Sequence, residues 1–158
     1  MAEPLADRVL HAIGQAGALF YRLVVLVAPP GAGKTAALQN VRERIAAPLI
    51  NVNLELSQHM LDLTGRQRAL ELPRLLAEIA GESEAEVVLL DNIEILFDVS
   101  LKQDPIRLLQ NLSRNRTVVV AMGGVIDGEN LAYATPDHPE YKRYSLRDFL
   151  VVNLEADE

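Results

Sequence analysis

Apolar residues come along this chain in two alternating patterns. The first is the unbroken run: Leu23 to Val27, Val87 to Leu90 and Thr117 to Ala121. Runs of that kind suit strands buried on both faces of a parallel sheet. Leu49 to Asn53 and Phe149 to Leu154 read as two further strands. The second pattern is helical spacing. Leu5, Val9, Leu10, Ile13 and Leu19 form the stripe of an amphipathic helix over residues 5–20. A helix from Gly33 toward Ala46 stops before Pro48. Ser57 is placed to cap a short helix, and Pro73 to open another that Gly81 ends. Asp104 and Pro105 are a cap and a first-turn proline for a helix to about Leu112. After a glycine-rich loop, Pro139 starts a short helix before the last strand. Strands alternating with helices predict an α/β fold, a mainly parallel five-stranded sheet between two helical layers. No repeat, linker or low-complexity tail interrupts residues 1–158, so the chain reads as one domain.

The first strand runs into Ala28-Pro29-Pro30-Gly31-Ala32-Gly33-Lys34-Thr35. A strand, a glycine-rich turn and a helix in that order make a phosphate-binding loop. The glycines let successive N–H groups curl inward around a phosphate at the positive end of the following helix. Pro30, Gly31, Ala32, Gly33, Lys34, Thr35 and Ala36 are therefore the candidate ATP-binding residues. Lys34 is expected to reach the β- and γ-phosphates and the Thr35 hydroxyl to sit on Mg²⁺. The strict pattern opens with glycine, and Ala28 is a mild departure from it. A second element is Asp91, an acid closing the most apolar run, placed to hold Mg²⁺ together with Thr35. Hydrolysis further needs a group that orients or deprotonates water. Asn92 follows Asp91, and an amide positions a water without accepting its proton. Glu94, two residues on, is the best substitute carboxylate for that task, its alternative being a solvated turn residue.

Composition narrows the setting. A chain of 158 residues can bury a substantial core. It has no cysteine, hence neither disulfides nor thiolate metal sites, and its three histidines (His11, His59, His138) lack ligand spacing. No signal peptide or membrane-length apolar run is present, so the expected location is the cytoplasm with no membrane partner. A net charge of −7 argues against a broad basic surface for DNA.

Four segments carry a more specific resemblance: Leu89 to Asp98, Asp104-Pro105, Leu112 to Val120, and His138 to Tyr141. Together they resemble BrxF, the small P-loop protein of type 3 BREX phage-defence systems, over nearly the whole chain. The resemblance implies an AAA+-like nucleotide-binding component, homo-oligomeric, acting beside other BREX proteins, with DNA contacted indirectly if at all. ATPases of this architecture commonly place a glutamate directly after the strand-end aspartate, where this chain has Asn92. They draw a trans-acting arginine from the junction before the last strand, which here makes Arg143 the first choice and Arg147 the second, ahead of Arg114 and Arg116. They also carry a polar residue where this chain reads Ala121-Met122-Gly123-Gly124, and a helical lid for which nothing up to Glu158 leaves room.

Tyr133, Tyr141 and Tyr144 cluster with Lys142, Arg143 and Arg147 near that junction, a pattern of packing or of a protein interface before one of nucleic-acid stacking. Three functions stay open: an assembly-dependent ATPase, a nucleotide-binding module with little turnover, and, less favoured, a small-molecule phosphotransferase.

Overall fold

The computed structural model describes residues 4–29, 31–134, 137–146 and 149–153. Five strands form the central sheet: β1 (Leu23–Val27), β2 (Leu49–Asn51), β3 (Val87–Asp91), β4 (Thr117–Met122) and β8 (Leu150–Asn153). They are all parallel, in the order β2-β3-β4-β1-β8. Alternation along each strand sorts its side chains between two cores. Val24, Leu26, Val119 and Ala121 pack beneath α1 (Leu5–Ala16) and α2 (Lys34–Ile45). Leu23, Val25, Val118 and Val120 face α3 (Val52–His59), α4 (Gly65–Ala80) and α5 (Pro105–Leu112). The result is the three-layer α/β sandwich of a P-loop NTPase that the apolar runs predict.

Local chemistry moves several boundaries. β2 ends at Asn51, not Asn53, because the Asn51 side chain accepts the Leu54 N–H at 3.0 Å and caps α3 at once. Ser57 therefore lies inside α3 and starts nothing. Pro73 likewise opens no helix; it sits within α4 and is exposed. The start signal is Thr64, nine residues upstream of Pro73, in a reciprocal capping box with Gln67 at 3.2 and 2.9 Å. α4 then ends at Gly81 as expected.

The larger difference follows β4. Where a late helix is expected at Pro139, the described residues form a turn, and the chain around it builds a second, antiparallel sheet. Its strands are β5 (Val125–Asp127), β6 (Asn130–Tyr133) and β7 (Lys142–Ser145). Asp127 pairs with Asn130, leaving Gly128 and Glu129 as a two-residue turn with Gly128 at φ 61°. That is the left-handed first position for which glycine is favoured in tight hairpins. Ile126, Leu131 and Tyr144 turn the ribbon's inner face onto the core shared by α3, α4 and α5.

Two backbone positions fix how the chain leaves β3 and β4. Asn92 holds φ 54°, a left-handed conformation that asparagine tolerates better than most residues, and its carbonyl accepts the Asn53 N–H at 3.1 Å. Gly124 has φ 154°, and a Cβ there would stand 2.9 Å from the Ala132 carbonyl oxygen. The ribbon can lie against β4 only because that atom is missing.

Gly124→Ala is accordingly expected to cost about 1–3 kcal/mol, the scale of overpacking. Gly14→Ala, in α1 with nothing within 4 Å of the added carbon, is expected to gain up to about 1 kcal/mol of helix propensity. Urea unfolding of the two variants should bracket the parent chain; equal midpoints would show that the ribbon does not need the close approach. The same measurement on Asn92→Ala should show a loss of about 1–2 kcal/mol from the left-handed strain, with Asn92→Gly close to the parent. Equal losses in the alanine and glycine variants would assign the effect to the amide instead.

Candidate functional site

The carboxyl ends of the parallel strands carry the chemistry, as the crevice outside such a sheet usually does. β1 passes into the loop with the Ala28 N–H donating to the Met122 carbonyl at 3.4 Å, so the loop begins anchored to β4. Gly31 and Gly33 take φ 79° and 92°. These left-handed steps, where a side chain would be strained, turn the chain into α2, and the Gly33 carbonyl accepts the first helical bond from Ala37 at 2.9 Å. The Lys34 ammonium is held over the loop by the carbonyls of Ala28 at 2.8 Å and Pro29 at 3.2 Å. Ala32, Thr35 and Ala36 complete the turn and the start of α2. Pro30 lies outside the described residues.

Thr35 donates its hydroxyl hydrogen to Asp91 Oδ2 at 2.6 Å, joining the first turn of α2 to the last residue of β3. Asp91 Oδ1 accepts the Asn92 N–H at 2.9 Å. Among the described residues Asp91 is the one ionisable side chain that is buried, at 7% exposure. These two hydrogen bonds offset the cost of burying its polar oxygens. A hydroxyl and a carboxylate side by side are hard oxygen donors that fit Mg²⁺, which keeps its remaining sites for phosphate oxygens and water. No cluster of three or more His, Cys, Asp or Glu among the described residues could hold a metal unaided. A cation at this point would lean on a bound phosphate.

Above these residues opens a cleft of about 580 Å³. Its core side is Lys34, Thr35, Asp91, Asn92 and Glu94, with Gly123 and Gly124 as the floor. Glu94 reaches it from the short 3-10 turn Ile93–Phe97 and is exposed. The opposite side belongs to the ribbon: Tyr133, Ala134, His138 and Glu140. Sequence reading missed these as site residues. Their signal was the Asp-Gly dipeptide at 127–128, which marks a hairpin and would have brought the segment back over the loop. The Tyr133 ring stacks on Phe97 with centroids 3.8 Å apart and planes 18° from parallel. Burial, and then the carboxylates of Glu94 and Glu140, raise its phenol above the ordinary tyrosine range.

The candidate arginines separate. Arg143 is not in the cleft. It pairs with Ala132 on the ribbon's outer face and donates to Asp127 at 3.3 Å, both side chains exposed. Tyr133 and Tyr144, one position away, point inward, so the tyrosine cluster is in large part packing. Arg114 and Arg116 precede β4, at the amino ends of the strands and away from the cleft. Arg114 lies 5.4 Å over the Phe20 ring, and Arg116 donates to the carbonyls of Ala80 and Ser83 at 2.9 and 3.0 Å, closing the end of α4. Arg147 falls outside the described residues.

No protein-family model matches the chain, and no curated protein does. Solved structures do. A DNA replication initiation factor superposes with a TM-score of 0.53 at 14% identity, over 97% of this chain and 47% of that one. PCH-2 of C. elegans gives a TM-score of 0.39 at 18% identity, over 94% of this chain and 38% of that one. The chain thus spans about half or less of the length of each. At such identity the likeness to the initiation factor is one of fold, a P-loop sandwich with a parallel five-stranded sheet.

Proposed function

We propose that this chain binds ATP with Mg²⁺ at the Gly31–Thr35 loop and works as an AAA+-like ATPase that needs assembly with further copies of itself. The observation that carries the reading is the 2.6 Å contact between Thr35 and Asp91 at the foot of a loop crossed by Lys34. Those groups are what a triphosphate and its cation require: a cation for the phosphates and two hard oxygens for Mg²⁺. Ala32 and Ala36 supply backbone N–H groups to the same loop. Glu94 orients the attacking water and accepts its proton, and Asn92 helps to position that water. Arg143 faces away from its own cleft, which suits a role at the nucleotide of a neighbouring copy and none in its own. The resemblance to BrxF supports a place in a type 3 BREX phage-defence system in the bacterial cytoplasm, beside other BREX proteins. A net charge of −7 supports leaving DNA contact to those partners. Among the described residues no helix is long and apolar enough to cross a membrane.

A second reading has its own support. Asn92 stands where a proton acceptor is common, and its left-handed backbone gives asparagine a purely conformational reason to be there. In that reading bound ATP fixes a conformation for a partner and turns over little.

Lys34→Ala should weaken ATP binding at least about tenfold, since two or more charge-assisted hydrogen bonds are lost, without loss of cooperative unfolding. Calorimetric titration giving the parent affinity would remove the phosphate-loop reading. Glu94→Gln should retain ATP and stop turnover; a variant that turns over as the parent does returns Glu94 to an ordinary turn residue.

The trans role of Arg143 predicts turnover per subunit that rises with protein concentration. Arg143→Ala should bind ATP and lose roughly 10³-fold or more in rate, the scale of a trans arginine. Mixing it with Lys34→Ala should restore part of the activity, because some interfaces then pair an intact loop with an intact arginine. A co-assembled mixture that stays inactive sinks the composite site. If the parent assembly itself shows no turnover while binding ATP, the binding-module reading stands in its place.

A further inference from the structure

The cleft has a wall that the roles above leave unused. Its floor, Gly123 and Gly124, follows β4 and has no side chain to offer a ligand. The same cleft is also lined by Tyr133, at the end of β6, and by His138, exposed in the turn before β7. Each has a partner in the structure. Tyr133 is clamped by its stack on Phe97, itself 2% exposed, and by the strand pairing of β6 with β7. His138 Nδ1 accepts the Glu140 N–H at 3.0 Å. An imidazole that accepts at Nδ1 carries its proton at Nε2, so the ring has one N–H left to give. The raised phenol of Tyr133 keeps its proton at neutral pH and is a second donor. Glu94 and Glu140 also line the cleft, so an anion entering it meets two carboxylates. Two neutral donors lining the same cleft as those acids are what would make a terminal phosphate welcome there.

We propose that the ribbon recognises the terminal phosphate in cis: His138, through Nε2–H, and Tyr133, through its hydroxyl, hydrogen-bond the γ-phosphoryl oxygens of a triphosphate held by the loop. This rests on the ATP-binding reading and adds to it the means of telling ATP from ADP. The donor that β4 cannot supply comes instead from the second sheet of the same chain. It differs from the trans arginine in kind, because it needs no second copy and acts on affinity in the monomer.

The test is calorimetric titration at low protein concentration, with Mg²⁺, of ADP and of a non-hydrolysable triphosphate analogue. His138→Ala and Tyr133→Phe should each lose roughly tenfold in affinity for the analogue, the scale of one hydrogen bond to a charged group, with ADP affinity unchanged. Tyr133→Phe keeps the ring on Phe97, so packing is preserved. His138→Gln, whose amide can donate from about the same place, should recover most of the loss. An analogue-to-ADP affinity ratio equal to the parent's in both His138→Ala and Tyr133→Phe overturns the proposal, and so does a parallel loss of both nucleotides. A parent chain that binds neither nucleotide fails at the phosphate loop and takes both readings with it, an outcome distinct from an unchanged ratio.

Discussion

β4 lies between β1 and β3, and the rest of the cleft depends on that placement. The phosphate loop leaves β1 and Asp91 closes β3, so the two meet only across the end of the strand between them. Val27 is level with Met122, and Leu90 with Val120, which brings the three carboxyl ends to one line. Thr35 can then reach Asp91 at 2.6 Å from the first turn of α2. Whatever follows β4 has to rise through the gap. Gly123 and Gly124 let it do so without filling the space.

Burying Asp91 ties this arrangement to the neighbouring helices. An uncompensated carboxylate at 7% exposure would be costly, and its two partners come from different elements: the Thr35 hydroxyl and the Asn92 N–H. Asn92 turns left-handed as the chain leaves β3, and its carbonyl takes the N–H of Asn53 at the start of α3. The acid end of β3 is thereby fixed to α2 on one side and to α3 on the other. A rigid foot of this kind keeps the two oxygens in place for a cation that would arrive with a phosphate.

Much of this was legible in the sequence, for identifiable reasons. Strands buried on both faces leave unbroken apolar runs, so β1, β3 and β4 could be read almost to the residue. The phosphate loop is legible because its glycines, lysine and threonine sit in the one context, strand before and helix after, where they mean something. α5 announced itself through Asp104 and Pro105. Two of the errors came from weighing proline above other local signals. Pro73 was read as an opening, while Thr64 and Gln67 carried the start of α4. Pro139 was read the same way, while Asp127 and Gly128 carried the hairpin. β5, β6 and β7 have three or four residues each, too short for alternation to stand out, and their inner residues pack against a core that only the fold assembles.

A ribbon in place of a helix changes how the site can be completed. Helical side chains spread around a cylinder, whereas a ribbon sends alternate residues to opposite faces. Tyr133 lies inward against Phe97 and the cleft; Arg143, paired with its neighbour Ala132, lies outward beside Asp127. One small sheet therefore separates what it offers its own loop from what it offers to solvent or to a second molecule. That separation depends on register, because a slip of one residue between β6 and β7 would exchange the two faces. The two-residue turn at Gly128 sets the pairing of β5 with β6. Gly124, pressed against the Ala132 carbonyl, then seats β6 beside the end of β4. Gly124 at the cleft floor and Gly128 beyond it thus decide which side chains of the ribbon face the cleft.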